Sequence, residues 1–229
     1  MGLAPAEIIT RRAFDDEVIR SMLPSPILDV EGFRTLEDVG AGRPATAKEG
    51  AAGRILYYAA WYTFPVLIGP GKTTDGVVAV FNANVPEFPH AGPLAHIAST
   101  PMPWSPHVRP EDGMICQGYG WQRANGRMLM AHAIVHVARL LNCDESDRGP
   151  EYGGYNRVAM TYWRETMRCR PLTAGLKYPV PSVEVTHGIS SREPLPQFRV
   201  LDDDVDVDNA IGFQLVTPRD DAFQLIGGA

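Results

Sequence analysis

The sequence predicts an α+β fold, with antiparallel strands and helices in separate stretches of the chain. Short aromatic and β-branched segments follow one another between residues 55 and 100, and Gly and Pro residues separate them. Apolar residues at helical spacing precede these segments at residues 7–22 and follow them at residues 127–141 and 154–168. Because no helical pattern separates the strands from one another, an alternating βαβ arrangement is not expected.

Composition restricts the class of protein further. The chain has 229 residues, 45% of them hydrophobic, which is enough for a buried core, and its net charge of −6 argues against nonspecific nucleic-acid binding. No apolar run approaches the roughly 20 residues that span a bilayer. The first twelve residues also lack the pattern of a signal peptide. We therefore expect a soluble cytoplasmic protein with no membrane or nucleic-acid partner.

The first part of the chain predicts one helix and then strands. Residues 7–22 predict a short amphipathic helix, and the Pro- and Gly-containing residues 24–53 predict irregular structure. Residues 55–68 are aromatic and β-branched and end at Gly69-Pro70-Gly71, which predicts a strand followed by a turn. Two further strands are predicted, at residues 76–85 and 94–100.

The remainder of the chain predicts two helices and an extension. Residues 127–141 are apolar nearly all round, which predicts a helix buried on most faces, and residues 154–168 predict a second, more polar helix. Residues 171–229 carry prolines and an acidic run at 202–208, which predicts an extension draped over the domain. The expected parts are an N-terminal helix with an irregular extension, a central domain and a C-terminal extension, at residues 1–53, 54–170 and 171–229.

A Gly-Lys-Thr motif at residues 71–73 suggests a phosphate-binding loop but does not fit one. Such a loop needs Gly at position 66, where this chain has Val66. It also needs a helix directly after the motif, and Asp75-Gly76 and a predicted strand follow instead. A turn between two strands is the better interpretation.

Two histidines, His132 and His136, have the spacing of metal ligands on one helical face. A metalloprotease motif would place Glu at position 133, where this chain has Ala133. No nearby Cys or carboxylate completes a tetrahedral set. We therefore expect packed, hydrogen-bonded core histidines and no metal.

The three cysteines, Cys116, Cys143 and Cys169, lack the paired spacing of a disulfide scaffold, so free thiols are expected. Cys116 follows a polar turn and precedes a Gly-rich stretch, which is typical of an exposed loop where functional thiols occur. His107 is close to it in sequence and could donate a hydrogen bond. Spacing alone leaves Cys116 open as either a nucleophile or a structural thiol, whereas Cys143 and Cys169 are expected to be structural.

Residues 55–167 resemble the ubiquitin-conjugating (UBC) domain in the order of their features. LIGPGKTTDGVVAVF is similar to that family's first hairpin, VPEFPHAGP to its proline-paced loop, and SPHVRPEDGMIC to the His-Pro-Asn segment that leads to its catalytic cysteine. A Trp, a helix ending in two leucines, the acidic loop CDESD and the helix GYNRVAMTYWRE follow as in that family. The resemblance implies a UBC-like fold, an antiparallel meander sheet packed on helices, with residues 7–22 able to serve as the first helix.

The sequence departs from the family pattern beside the cysteine. With Pro106 aligned to the family's Pro, Ser105 stands where His is usual and His107 stands where Asn is usual. The interval to Cys116 is one residue longer, and Trp121 comes sooner. The chain therefore resembles divergent bacterial members, which are encoded with an activating enzyme, a ubiquitin-like protein and often a JAB peptidase. Several such sets are linked to phage defence.

The resemblance implies a role for each residue near the cysteine. Cys116 would receive the carboxy terminus of a ubiquitin-like protein from a ThiF-like adenylating enzyme as a thioester, which an amine on a protein target would then attack. His107 would donate to the oxyanion or brace the loop. Asp147, with Asp144 and Glu145 in the same acidic loop, would help the amine lose its proton. Tyr119 and Trp121 would shape the pocket, and no cofactor is implied.

Two other classes of protein stay open. A thiol hydrolase would use His107 to deprotonate Cys116, and a catalytically inactive UBC-like interaction module would tolerate Cys116→Ser. The terminal Gly227-Gly228 also suggests a processed ubiquitin-like tail, but residues 171–229 are too few for a usual domain of that kind.

Overall fold

The computed structural model describes residues 5–83, 94–116, 130–144 and 154–180, together with residues 197–198 and 215–216. The helices are α1 (Pro5–Ser21), α2 (Leu36–Gly40), α3 (Ala47–Ala51), α4 (Met130–Leu141) and α5 (Arg157–Glu165). The strands are β1 (Leu28–Phe33), β2 (Tyr57–Tyr62), β3 (Val66–Gly69), β4 (Lys72–Thr74), β5 (Val77–Asn82), β6 (Ala95–Ile97), β7 (Gln197–Phe198) and β8 (Leu215–Val216). None of the described helices is long and apolar enough to cross a membrane.

Four strands form one antiparallel sheet in the order β1-β2-β5-β6, while β3 and β4 form a separate hairpin. Tyr62 of β2 pairs with Leu28 of β1 on one side and with Val77 of β5 on the other. Ala79 of β5 pairs in turn with Ile97 of β6. The main sheet is therefore a meander with one hairpin inserted between its second and third strands, which confirms the predicted α+β class with antiparallel strands.

The prediction of irregular structure for residues 24–53 is wrong. This stretch contains β1, which is the edge strand of the main sheet, and the short helices α2 and α3. Within β1, Leu28 and Val30 are buried while Asp29 and Glu31 are exposed, which is the alternation of a half-buried strand. The alternation extends over only six residues, and the surrounding prolines and glycines obscure it in the sequence.

The prediction of one strand over residues 55–68 is also wrong, because the chain forms two strands there. β2 ends at Tyr62 and β3 begins at Val66. Pro65 lies between them, and proline has no N–H with which to continue a ladder of hydrogen bonds. The Thr63 N–H donates instead to the Ile27 carbonyl at 3.0 Å, outside the β2–β5 pairing.

The turn between β3 and β4 confirms that the Gly-Lys-Thr motif belongs to a hairpin. Pro70 and Gly71 connect the paired residues Gly69 and Lys72. Gly71 has a φ of +66°, which suits the third position of a type II turn and is easily adopted only by glycine. Because a strand begins at Lys72 where a phosphate-binding loop would continue into a helix, the main chain does not have the course of such a loop.

Helix α4 lies at the centre of the core, which confirms the prediction of a helix buried on most faces. Nine of its twelve residues are buried. The hydroxyl of Tyr62 in β2 donates to the Ile134 carbonyl at 2.8 Å and joins the sheet to the helix backbone. Burial raises the pKa of Tyr62 well above its ordinary value, so this hydroxyl remains a donor.

Helix α1 confirms the helix predicted at residues 7–22 and packs through two adjacent carboxylates. Asp15 is 2% exposed, lies 3.6 Å from the Arg12 guanidinium and accepts the N–H of Met130, the first residue of α4, at 3.2 Å. The hydroxyl of Tyr58 in β2 donates to Asp16. A carboxylate at the start of a helix satisfies a backbone donor and interacts favourably with the helix dipole. These polar contacts join α1 to β2 and to the start of α4, in addition to the apolar side chains that α1 contributes to the core.

Replacing Asp15 with alanine should lower the free energy of unfolding by about 3–5 kcal/mol, since removing one partner of a buried ion pair leaves the other charge uncompensated. Urea denaturation followed by circular dichroism measures the loss. The matched control is Glu17→Ala, at an exposed position of the same helix, which should change stability by less than about 0.5 kcal/mol. Equal effects of the two substitutions would contradict the role assigned to Asp15.

Candidate functional site

Cys116 ends a short antiparallel hairpin that begins at His107. Val108 pairs with Ile115 in the middle of this hairpin. At its open end the Cys116 N–H donates to the His107 carbonyl at 2.7 Å. We call residues 107–116 the cysteine hairpin, because it carries the thiol that the sequence singles out.

The cysteine hairpin extends the main sheet beyond β6. The Ile97 N–H donates to the Gly113 carbonyl at 2.8 Å, and the Ile115 N–H donates to the Ala95 carbonyl at 2.9 Å. Gly113 has a φ of +74°, and a Cβ at this position would lie 2.9 Å from the Ile97 carbonyl oxygen, so only glycine fits this close approach. Cys116 therefore follows a strand whose position is fixed by hydrogen bonds on both of its edges.

The turn of the cysteine hairpin is ordered by Arg109 and Asp112. The two side chains form a two-point ion pair, with Arg109 Nε 2.7 Å from Asp112 Oδ1, and Asp112 also accepts the Met114 N–H at 3.1 Å. The hydrogen bond from Arg109, followed by that from Met114, lowers the pKa of Asp112 to about 2. The Arg109 guanidinium also lies 5.4 Å from the centre of the Tyr155 ring. Specific contacts thus fix the polar turn before the cysteine.

His107 holds both backbone groups of Cys116. Its carbonyl accepts the Cys116 N–H, and its ring Nδ1 lies 3.1 Å from the Cys116 carbonyl oxygen. Because a carbonyl oxygen only accepts hydrogen bonds, we assign the proton of this contact to Nδ1. His107 is 4% exposed, whereas Cys116 is half-buried. The arrangement is that of a brace, which fixes the backbone at a thiol-bearing residue that remains partly exposed.

Behind His107 the hairpin packs on the last turn of α4. A cavity of about 10 Å³ lies there, lined by Pro106, His107, Leu140, Cys143 and Trp163. The Ser105 hydroxyl accepts the His107 N–H at 3.3 Å and donates to the Leu140 carbonyl at 3.4 Å. Ser105 is buried and links His107 to helix α4. It stands where the family that the sequence resembles usually has His.

The residues before α5 dock on Pro106, a contact that was not predicted from the sequence. The N–H groups of Tyr155 and Asn156 donate to the Pro106 carbonyl at 2.9 and 3.1 Å. A Cβ on Gly154 would lie 2.6 Å from the same oxygen. Asn156 also caps α5 by accepting the Ala159 N–H at 3.0 Å. An Asn directly before a helical run is a readable cap signal, but the sequence does not indicate which carbonyl the cap residue approaches.

All three cysteines are free thiols, as the sequence predicts. Cys143 is buried in a small cluster with Leu67, Met160 and Trp163, which agrees with the structural role expected for it. Cys169 is exposed, so core packing does not account for its presence, and its structural role stays a prediction. Cys116 is the cysteine whose backbone N–H and carbonyl both form hydrogen bonds with His107.

Three of the predicted site residues, Tyr119, Trp121 and Asp147, lie outside the described residues. Asp144, at the start of the acidic loop, is half-buried, and its carboxylate shares a hydrogen bond with the Tyr178 hydroxyl. The structure therefore brings Cys116 and His107 together and fixes the point from which the acidic loop leaves α4.

His132 is buried in the core as predicted, and His136 is half-buried on the same helix. Within the part of the chain that the structure describes, no group of three His, Cys, Asp or Glu side chains could hold a metal ion. Burial lowers the pKa of His132 to about 3, so its ring is neutral at pH 7. The burial of His132 agrees with the packing role expected for it, and the role of His136 stays a prediction.

The lowered pKa of His132 predicts a loss of stability in mild acid. Between pH 6.5 and about pH 3 the unfolded chain binds a proton at this position and the folded chain does not, so the free energy of unfolding falls as the pH falls. Between pH 7 and pH 5 the wild type should therefore lose about 2 kcal/mol more than His132→Leu, at about 1.4 kcal/mol per pH unit below pH 6.5. Urea denaturation at a series of pH values measures both proteins, and parallel pH curves would contradict the assignment.

No protein-family model matches this sequence, and no curated protein matches it either. The candidate site is therefore defined by its own geometry. It consists of a partly exposed thiol at Cys116, a buried imidazole at His107 that fixes the backbone of that cysteine, and the last turn of α4 behind them. Such an arrangement is suited to chemistry at a thiol held in one place.

Proposed function

We propose that this chain is a conjugating enzyme for a ubiquitin-like protein. Cys116 accepts the carboxy terminus of that modifier from a ThiF-like activating enzyme as a thioester, and then passes it to an amine on a protein target. The observation that carries the proposal is the double hydrogen bonding between His107 and the backbone of Cys116. These hydrogen bonds fix the backbone of Cys116 in the hairpin, and the residue remains partly exposed. A thiol that reacts first with an activating enzyme and then with a protein target needs both properties.

The order of the elements supports a UBC-like fold for this activity. A first helix, an antiparallel meander, a cysteine just beyond the edge of the sheet, a buried helix and a second helix follow one another as the sequence resemblance implies. The strand β1 supplies the first strand of this meander, ahead of residues 55–167 that carry the resemblance. The insertion of β3 and β4 as a separate hairpin is compatible with the Gly-Pro turn on which the resemblance partly depends.

The proposed reaction consists of two acyl transfers. In the first, the Cys116 thiolate attacks the carbonyl carbon of the modifier's thioester on the activating enzyme, and the thiolate of that enzyme leaves. In the second, a target amine attacks the Cys116 thioester through a tetrahedral oxyanion, an amide forms and the Cys116 thiolate leaves. The attacking amine must lose a proton, and Asp147 is the residue proposed to assist this step. Tyr119 and Trp121 are proposed to shape the pocket around the thioester.

His107 supports this chemistry as a positioning residue. Its Nδ1–H group donates to the Cys116 carbonyl, so its proposed contribution is to hold the cysteine in place. The Nδ2 of an asparagine is separated from Cβ by the same number of bonds as the Nδ1 of a histidine, so it could make the same contact. A histidine in place of the family's usual Asn is therefore compatible with the proposed activity.

A thiol hydrolase is the less favoured alternative. It requires Nε2 of the His107 ring to take the proton of the Cys116 thiol, because Nδ1 donates to a carbonyl. The contacts described above place His107 on the backbone of Cys116, and the second test below separates the two roles. A catalytically inactive UBC-like module would keep the fold and form no thioester, so the experiment below separates it from an enzyme. A bacterial antiviral setting, with a JAB peptidase in the same pathway, is a part of the proposal that rests on the resemblance alone.

The first test is formation of the thioester, here called charging. Incubation with ATP, the cognate activating enzyme and the cognate ubiquitin-like protein should give an adduct that thiol reagents remove. Cys116→Ser should lose this adduct because a serine cannot form a thioester. Cys169→Ser, at an exposed thiol, is the matched control and should keep it. A thiol-sensitive adduct on the Cys116→Ser variant would show that the assignment of Cys116 is wrong.

The second test separates the brace from a general base at His107. His107→Ala should charge almost normally but transfer the modifier to lysine about 100-fold more slowly, a loss typical of one misplaced or missing stabilising group. His107→Asn should recover much of that rate because its Nδ2 can reach the same carbonyl. Single-turnover measurements resolve the two steps. Failure of charging in both variants would instead indicate a general base, and unchanged rates in both steps would exclude a role for His107.

A further inference from the structure

The last turn of α4 and the three residues after it, residues 138–144, are held from two sides, and we call them the end of α4. On one side Leu140 and Cys143 line the cavity behind His107, and the Leu140 carbonyl accepts a hydrogen bond from Ser105. On the other side lies the segment of residues 171–180, which we call the strap. Anything that fixes this end of the helix therefore also fixes the surface against which the His107 brace rests.

Asn142 fastens the strap to the end of α4 with four hydrogen bonds. Its Nδ2 donates to the Thr173 carbonyl at 3.1 Å and to the Tyr178 hydroxyl at 2.9 Å. Its Oδ1 accepts the Thr173 N–H at 2.8 Å, and its backbone carbonyl accepts the Leu172 N–H at 2.7 Å. Asn142 is completely buried, so its amide would be costly to bury without these partners. The strap supplies them.

Tyr178 extends this network to the acidic loop. Because its hydroxyl oxygen accepts from Asn142, its own hydrogen is available to the Asp144 carboxylate, with which it shares a hydrogen bond. Its ring lies 5.4 Å from the Arg139 guanidinium. Burial is the largest cause that raises the pKa of Tyr178, so the hydroxyl stays protonated at neutral pH. One side chain of the strap thus contacts three residues at the end of α4.

The strap also makes apolar contacts with the protein core. Leu172 packs against the small cluster that contains Cys143 and Trp163, both of which line the cavity behind His107. Leu176 and Tyr178 pack against the main core. The strap is therefore continuous, through buried side chains, with the surface that supports the brace.

We propose that Asn142 and Tyr178 are positioning residues for transfer of the modifier from Cys116, an inference that rests on the proposed function. The strap holds the end of α4, the end of α4 supports His107, and His107 holds the backbone of Cys116. The same network sets the point at which the acidic loop begins. Neither residue touches a reacting atom, and both act by keeping the backbone of Cys116 in place through His107.

The experiment compares the wild type with Tyr178→Phe, which removes only the hydroxyl of the network. The matched control is Tyr57→Phe, which removes the hydroxyl of a half-buried tyrosine in β2. At a temperature where circular dichroism shows all three proteins folded, we expect equal charging. Transfer to lysine should be about 10-fold slower in Tyr178→Phe alone, within the range that small misplacements of reacting groups produce. The loss should lie in the rate at saturating lysine and not in the lysine concentration at half-saturation.

A second measurement on the same proteins does not depend on the proposed function. Cys143 is 6% exposed within the held segment, so the rate at which a maleimide labels it in the native protein reports opening of that segment. Tyr178→Phe should increase this rate about 10-fold, the increase that an opening equilibrium shifted by one lost hydrogen bond gives, and Tyr57→Phe should leave it unchanged. Equal labelling rates in all three proteins would overturn the inference.

The two measurements together separate failure of this inference from failure of the proposed function. If the wild type is charged and Tyr178→Phe matches it in both transfer rate and Cys143 labelling rate, the inference is overturned and the proposed function stands. A wild type that forms no adduct overturns the proposed function and the positioning role with it. If Tyr178→Phe alone shows slower transfer and faster Cys143 labelling, the result supports both the inference and the proposed function.

Discussion

Helix α4 has to be covered on most sides, because nine of its twelve residues are apolar and the three polar ones, His132, His136 and Arg139, share one face. Burial of such a surface is the dominant favourable term in folding. The sheet covers one side, where Tyr62 bonds the helix backbone, and α1 reaches the start of the helix through Asp15. The cysteine hairpin and the strap share its last turn. The positions of these four elements follow from the need to enclose one helix.

The candidate site results from two of these contacts. Hydrogen bonds to β6 place the cysteine hairpin at the edge of the sheet, and packing on the end of α4 holds His107 behind it. Cys143 belongs to the enclosed side of this arrangement and is buried, whereas Cys116 follows the hairpin outward and remains half-buried. The packing around α4 therefore buries the Cys143 thiol and leaves Cys116 partly exposed, and His107 lies between the hairpin and the helix.

Local patterns explain what could be predicted from the sequence. Helix α4 and the β3–β4 turn are each defined by a short stretch of residues, and so is the polar turn before Cys116. The pairing that makes residues 107–116 a hairpin was not predicted from the sequence. Strand β1 escapes prediction because its alternation is brief and lies among prolines and glycines. The contacts of Asp15 with α4 and of Asn142 with the strap escape it for another reason: they join distant residues, and local spacing does not encode such pairs.

The central claim is that Cys116, held by His107, carries a ubiquitin-like protein as a thioester. Mass spectrometry of the chain after reaction with ATP, the activating enzyme and the ubiquitin-like protein locates the attachment residue directly. The account predicts the carboxy-terminal residue of the modifier on the peptide that contains Cys116, through a bond that neutral hydroxylamine cleaves. Attachment to Cys169 or to a lysine, or a bond at Cys116 that resists hydroxylamine, would contradict it.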